Sequence, residues 1–209
     1  MFGSPVEIYA AKVTSMKIRE AIQKVGRSGM HILGGCGSAV ADVSTCFEGG
    51  IRRTDGFCAH TTSELKTDFD ALNKIMQSIQ YECFRQVWWA PVIGAFAGGA
   101  EGSAVAAVGG LFHAILVGQA HLGNTYLDLQ VTPYYNAGAT DRMSLWILTA
   151  AGQAIARNSN AILQGTVTTS SGPGTKLMLY EIAASVIAQT VSGYHIFGVR
   201  IHKPTKDNH

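Results

Sequence analysis

Residues 26–37 read Gly26-Arg27-Ser28-Gly29-Met30-His31-Ile32-Leu33-Gly34-Gly35-Cys36-Gly37. A short apolar run, Met30 to Leu33, opens into glycines. Such a run reads as a buried strand that ends in a loop where backbone must come close to something. In an α/β protein that loop lies at the carboxyl ends of the strands, where sites form. A tight turn with no ligand accounts for the same residues.

Working outward, the upstream segment is a helix. Ser4 suits the N-cap, Pro5 the first helical position, and Glu7 the third place of a capping box. Ile8, Ala11, Ile18, Ile22 and Val25 recur at helical spacing, and Gly26 ends the run. Downstream, residues 34–60 show little periodicity and read as one long loop. Thr61-Thr62-Ser63-Glu64 reads as a second capping box. The helix it opens has Leu65, Phe69, Leu72, Met76 and Ile79 along one face. Residues 84–93 read as a second strand, although Pro91 inside it removes a ladder donor. An Ala/Gly-rich helix follows over about residues 101–122. Residues 125–135 alternate as a third strand. Thr140 or Asp141 caps a helix to about Asn158. Residues 161–168 form a fourth strand, Thr175 caps a fifth helix ending at Gly193, and residues 194–201 form a fifth strand.

The order is α(βα)₄β, about five strands and five helices. Strands alternating with helices imply α/β architecture with a parallel sheet. Five such units suit an open doubly wound sheet, or a TIM-barrel-like (β/α) fold present in part. We expect one domain over residues 1–201 and a polar, disordered tail over 202–209.

Of the 209 residues, 47% are hydrophobic and only 14% charged, against about 25% charged in an average globular chain. Too few charges remain to cover a free monomer, so we expect a homo-oligomer or a piece of a larger assembly. Net charge is +2. No basic cluster is interleaved with aromatics, which argues against nucleic acid. Residues 103–120 are nearly all apolar or small, but His113, Gly109 and Gly110 favour a buried core helix over a membrane span. Cys36, Cys46, Cys58 and Cys83 have no zinc spacing and read as free thiols of a cytoplasmic protein. His113 and His121 are too far apart on their helix for a two-ligand pair, so no metal is expected. No G-x-G-x-x-G with its acidic partner and no P-loop is present.

Several side chains invite two readings. Gly172-Pro173-Gly174-Thr175 suits an anion at a helix start, or a plain turn with an N-cap. Glu101 suits an acid or base, or a first-turn acid favoured by the helix dipole. Arg142 suits a carboxylate clamp, or a surface pair with Asp141 or Asp128. Tyr134 and Tyr135 flank the end of the third strand. His31 suits proton transfer, or a hydrogen-bonded place in the core. Trp88 and Trp89 suit a cation-binding pocket, or packing.

Taken in order, the chain resembles the monomethylamine:corrinoid methyltransferase family. The matching pieces are Ser4-Pro5-Val6-Glu7 with Ala10-Ala11-Lys12, Gly26-Arg27-Ser28-Gly29-Met30, Thr54-Asp55, and Glu64-Leu65-Lys66 with Asp68 and Asp70-Ala71. Gly98-Gly99 with Glu101, Arg142, Ala151-Gly152, Ile162-Leu163 with Gly165, and Ser192-Gly193 also match. The resemblance is collinear over nearly all of the chain. It implies a (β/α)₈ barrel that forms oligomers. It implies transfer of a methyl group from methylamine to the cobalt of a corrinoid carried by a partner protein, with no cofactor bound directly.

Members of that family are about twice as long. They carry a pyrrolysine just after the Gly-Met strand, whose imine ring is thought to hold the amine as an adduct. The matching position here is Leu33, which has no electrophilic carbon. Cys58 and Trp88 stand where glutamates are expected, Val167 where a glutamine is, and Thr168 and Thr169 in place of a tyrosine pair. The departure suggests another methylated amine, for instance a quaternary ammonium held on Trp88 and Trp89 by cation–π attraction. It equally suits a relative that has lost the chemistry and acts in binding or assembly.

Overall fold

The structure is a computed structural model and describes residues 3–34, 37–47, 49–61, 65–66, 68–119, 125–133 and 138–201. Among them are six helices and eight strands, in two compact units.

The first unit holds α1 (Pro5–Lys24), β1 (Leu33–Gly34), α2 (Ala39–Phe47), β2 (Gly56–Thr61), α3 (Phe69–Gln80) and the start of β3 (Phe84–Trp89). Ser4 caps α1 as its sequence predicts, accepting a hydrogen bond from the Glu7 amide. The Glu7 carboxylate accepts from the Gly3 amide and from the amide and hydroxyl of Ser38, thirty-one residues on. The buried face of α1 is Ser15, Arg19 and Ile22, while Ile18 and Val25 are exposed. A polar residue displaces the expected apolar ones because Arg19 is drawn inward by Asp55. Its guanidinium pairs with the Asp55 carboxylate and donates to the Gly50 and Met30 carbonyls. Asp55 also accepts from the amides of Ile32 (2.7 Å) and Arg52 (2.6 Å). Ile32 and Asp55 immediately precede β1 and β2, which run parallel with Leu33 opposite Gly56. This buried cluster therefore sets the register at the amino ends of both strands.

Three expectations fail here. The buried strand expected over residues 30–33 is only Leu33–Gly34, with Met30 58% exposed. The supposed loop at 34–60 contains α2 and β2. The helix expected from Thr61 starts at Phe69, capped by Asp68, because β2 extends to Thr61. Residues 62–64 of the supposed capping box lie outside the described residues, and Leu65 has φ of 57°, outside helical geometry. The buried face of α3 is Ala71, Lys74, Ile75 and Ser78, whereas Phe69 is 79% and Met76 48% exposed. The Lys74 ammonium turns inward to Asp42 of α2, 3.8 Å away.

The second unit holds the end of β3, then β4 (Val92–Ile93), α4 (Ala100–Gln119), β5 (Thr125–Leu129), β6 (Thr132–Pro133), α5 (Arg142–Asn158), β7 (Leu163–Thr169), α6 (Lys176–Val191) and β8 (His195–Ile201). β5, β7 and β8 pair in parallel. The two strands expected at 84–93 and 125–135 are each broken in two. Pro91 cannot donate to a ladder, so β3 stops at Trp89, and the Pro91 carbonyl accepts from Thr132. β4 and β6 then pair separately. Asp141 and Thr175 cap α5 and α6 as expected.

By length and composition α4 could cross a membrane. In this structure it buries Ala107, Leu111 and Ala114. Gly110 sits so closely on the Trp89 indole that no Cβ would fit between them.

Candidate functional site

Strand alternation sorts the second unit's side chains onto two faces. On β7, Gly165 lies against Gln189 of α6 and against Tyr194, leaving no room for a Cβ. Gly165, Val167 and Thr169 thus face the helices, and Gln164, Thr166 and Thr168 face the other way. On β3 the fully buried Trp89 packs on α4, which turns Trp88 and Gln86 to the opposite side. On β5, Leu127 and Leu129 are buried, and Asp128 alternates with them. The Gln130 side chain, one residue beyond β5, bonds Thr168.

At the carboxyl ends of these strands the polar face becomes a connected group. The Gln130 amide donates to Thr168 Oγ1 at 3.3 Å. Arg200 donates to Gln130 Oε1 at 3.4 Å. The Arg200 guanidinium stands over Trp88, 5.8 Å from the ring centroid. Thr168 lies opposite Arg200 in the β7–β8 ladder, and the Gln130 backbone N–H donates to the Trp89 carbonyl at 3.0 Å. Arg200, Gln130, Thr168 and Trp88 thus form one group at the end of the sheet where α/β sites form. Of these four, only Trp88 and Thr168 stood among the residues singled out from sequence. Val167 and Thr169 are carried to the helix side, and Trp89 into packing on α4.

A second cleft, of about 550 Å³, is lined by Ala100, Glu101, Asp141, Arg142, Met143 and Trp146. It joins the amino ends of α4 and α5 and brings Glu101 and Arg142 together. Both stand in the first turn of their helices.

In the first unit, Leu33 is half-buried and Cys58 buried. They share one face of the β1–β2 pair, because Leu33 is opposite Gly56 and Cys58 is two residues further on. His31 is exposed and meets Phe84 edge-on at 5.3 Å. Among the described residues Cys46, Cys58 and Cys83 form no disulfide. Burial pushes Cys46 up to about 12 and Cys83 up to about 11, so neither is a thiolate at neutral pH. Tyr134, Tyr135, Cys36, His121 and the 202–209 tail lie outside the described residues. Among the described residues no three His, Cys, Asp or Glu side chains gather as metal ligands.

A parallel α/β fold with a polar group at its strand ends has that group where α/β proteins, barrels among them, build their sites. The family model for monomethylamine methyltransferase MtmB matches residues 1–205, and the chain belongs to that family. It is 30% identical over 196 residues to monomethylamine methyltransferase MtmB2 of Methanosarcina acetivorans, covering 92% of this chain and 42% of the relative. It is 31% identical over 198 residues to MtmB1 of Methanosarcina barkeri, again 92% of this chain and 42% of the relative. The chain thus spans about two-fifths of the length of these relatives. The crystal structure of Methanosarcina barkeri MtmB superposes with a TM-score of 0.82 at 24% identity, over 98% of this chain and 44% of that one. The hydroxylamine complex of MtmB gives the same values. The fold is the TIM-barrel type.

Proposed function

We propose that this chain contributes to methyl transfer from a methylated amine to the cobalt of a corrinoid carried by a partner protein. The observation that carries the reading is the polar group of Trp88, Gln130, Thr168 and Arg200 at the strand ends of a chain in this family. In the reaction the C–N bond breaks and its electron pair stays with nitrogen, while the reduced metal supplies the pair for the new bond to the methyl carbon. Amine nitrogen is a poor leaving group unless it is positively charged. Leu33 offers no electrophile to activate it, so the charge has to come from protonation or from full substitution of the nitrogen. The side chains' part is to bind and orient. Thr168 and Gln130 fix a protonated amine end through hydrogen bonds, a fully substituted nitrogen is held by packing against them, and the Trp88 ring supplies an apolar wall.

A quaternary ammonium seeking the Trp88 face must displace Arg200 from it. A protonated or quaternary nitrogen seated beside Thr168 need not. The test is incubation of the chain with a reduced corrinoid protein and a panel of amines from methylammonium to tetramethylammonium, N-methylglycine and its quaternary analogue included, followed by the corrinoid's visible spectrum. A spectral change with at least one amine supports the reading. A silent panel overturns it in favour of a binding or assembly role.

A further inference from the structure

We propose that the amine this site takes also carries a carboxylate, and that Arg200 selects it. The inference rests on the methylated-amine reading and names its substrate class. The indole face that would attract a bare cation is already covered by the Arg200 guanidinium. A second positive charge placed there meets like charge. Arginine presents five N–H donors in a fixed fork, and Gln130 takes only one direction of it. Among the described residues no carboxylate pairs with Arg200. Arg200 is exposed at the strand end, but stacking and an amide hold it in place, so its remaining donors face out in a fixed fork that fits a carboxylate.

A second observation is independent of Arg200. Thr166 is 2% exposed, and its Oγ1 has no hydrogen-bond partner among the described residues; the same is true of Gln164 Oε1. Both lie on the same face of β7 as Thr168. Buried polar atoms without partners cost stability, and a polar ligand on this face relieves that cost. Deeper on the same face, Asp128 stands opposite Gln164. The order of charge, carboxylate below and guanidinium above, suits a zwitterion with its nitrogen inward and its carboxylate at the strand ends.

Calorimetry on the 209-residue chain tests this with N-methylglycine and N-methylglycinamide, which differ in the carboxylate alone. The acid is expected to bind about tenfold or more tightly than the amide, a difference of the size of one charge-assisted pair. Arg200→Gln is expected to erase the preference, and Arg200→Lys to keep part of it. Equal binding of the two probes, no binding of the acid, or an unchanged preference in Arg200→Gln overturns the proposal. If Arg200→Gln does not fold by circular dichroism, the wild-type comparison and Arg200→Lys decide alone. Methyl transfer from methylammonium without preference for the acid overturns this inference and leaves the broader reading standing. Tight acid binding with a silent methyl-transfer panel does the reverse.

Discussion

At the scale of the residue, the chain spends its buried charge on register. Asp55 is fully buried and accepts from Arg19 and from the amides of Ile32 and Arg52. Removing one partner of such a pair leaves the other charged and dry, which costs about 3–5 kcal/mol. Arg19→Met is therefore expected to lower the urea midpoint strongly, and a loss under about 1 kcal/mol would assign the pair a trivial role. Thr54-Asp55 is one of the pieces that carry the family resemblance. The place of Asp55 at the amino end of β2, with its bonds to Arg19, Ile32 and Arg52, makes it structural. Gly110 offers a contrasting case. Any side chain there meets the Trp89 indole, so Gly110→Val should cost about 1–3 kcal/mol by overpacking. If thermal melts show Gly110→Val unchanged, Trp89 is not held on α4 as described.

At the scale of the element, what was legible in the sequence was local. Ser4, Asp141 and Thr175 cap their own helices within three residues, and α1, α5 and α6 start where the cap pattern puts them. α2 was not legible, because its amino end is held by other helices. Ser38 is bonded by Glu7 of α1, and the Ala39 amide by Asp70 of α3. No window along the chain contains these pairs. β2 was hidden for a similar reason, since its register comes from the Arg19–Asp55 cluster. The site was half legible. Trp88 and Thr168 were named from resemblance, but Arg200 and Gln130 join them only through strand pairing seventy residues apart.

The capping of α2 carries a pH signature. The Ser38 amide holds the Glu7 carboxylate below its ordinary value of 4.5. A carboxyl group lowered in the folded state stabilises it above the unfolded value, and that contribution is lost as pH falls through the folded value. Hydrogen exchange of the α2 amides should therefore quicken as pH drops below 4.5, beyond the intrinsic pH trend. Glu7→Gln should flatten that extra dependence. A mutant profile that still follows the wild type would mean that Asp70 alone holds the helix end.

At the scale of the whole molecule, apolar surface outweighs charge. α6 shows Leu177, Leu179, Tyr180, Ile187 and Val191 to solvent, the last at 77% exposure, and β8 adds Phe197, Val199 and Ile201. A helix that is apolar nearly all round belongs inside something, and a parallel strand normally has both faces covered. With charged residues at 14%, little else on the surface opposes association. The purified chain is therefore expected to self-associate. Light scattering during size exclusion should give a mass at a multiple of 22.2 kDa. Leu179→Lys with Val191→Glu should shift it towards the single-chain mass, because each charge would be desolvated at the contact. A sharp peak at the single-chain mass for the wild type would show that this face tolerates water. A multimer indifferent to both substitutions would place the contact elsewhere, with α1, which exposes Val6 and Tyr9, the next surface to charge.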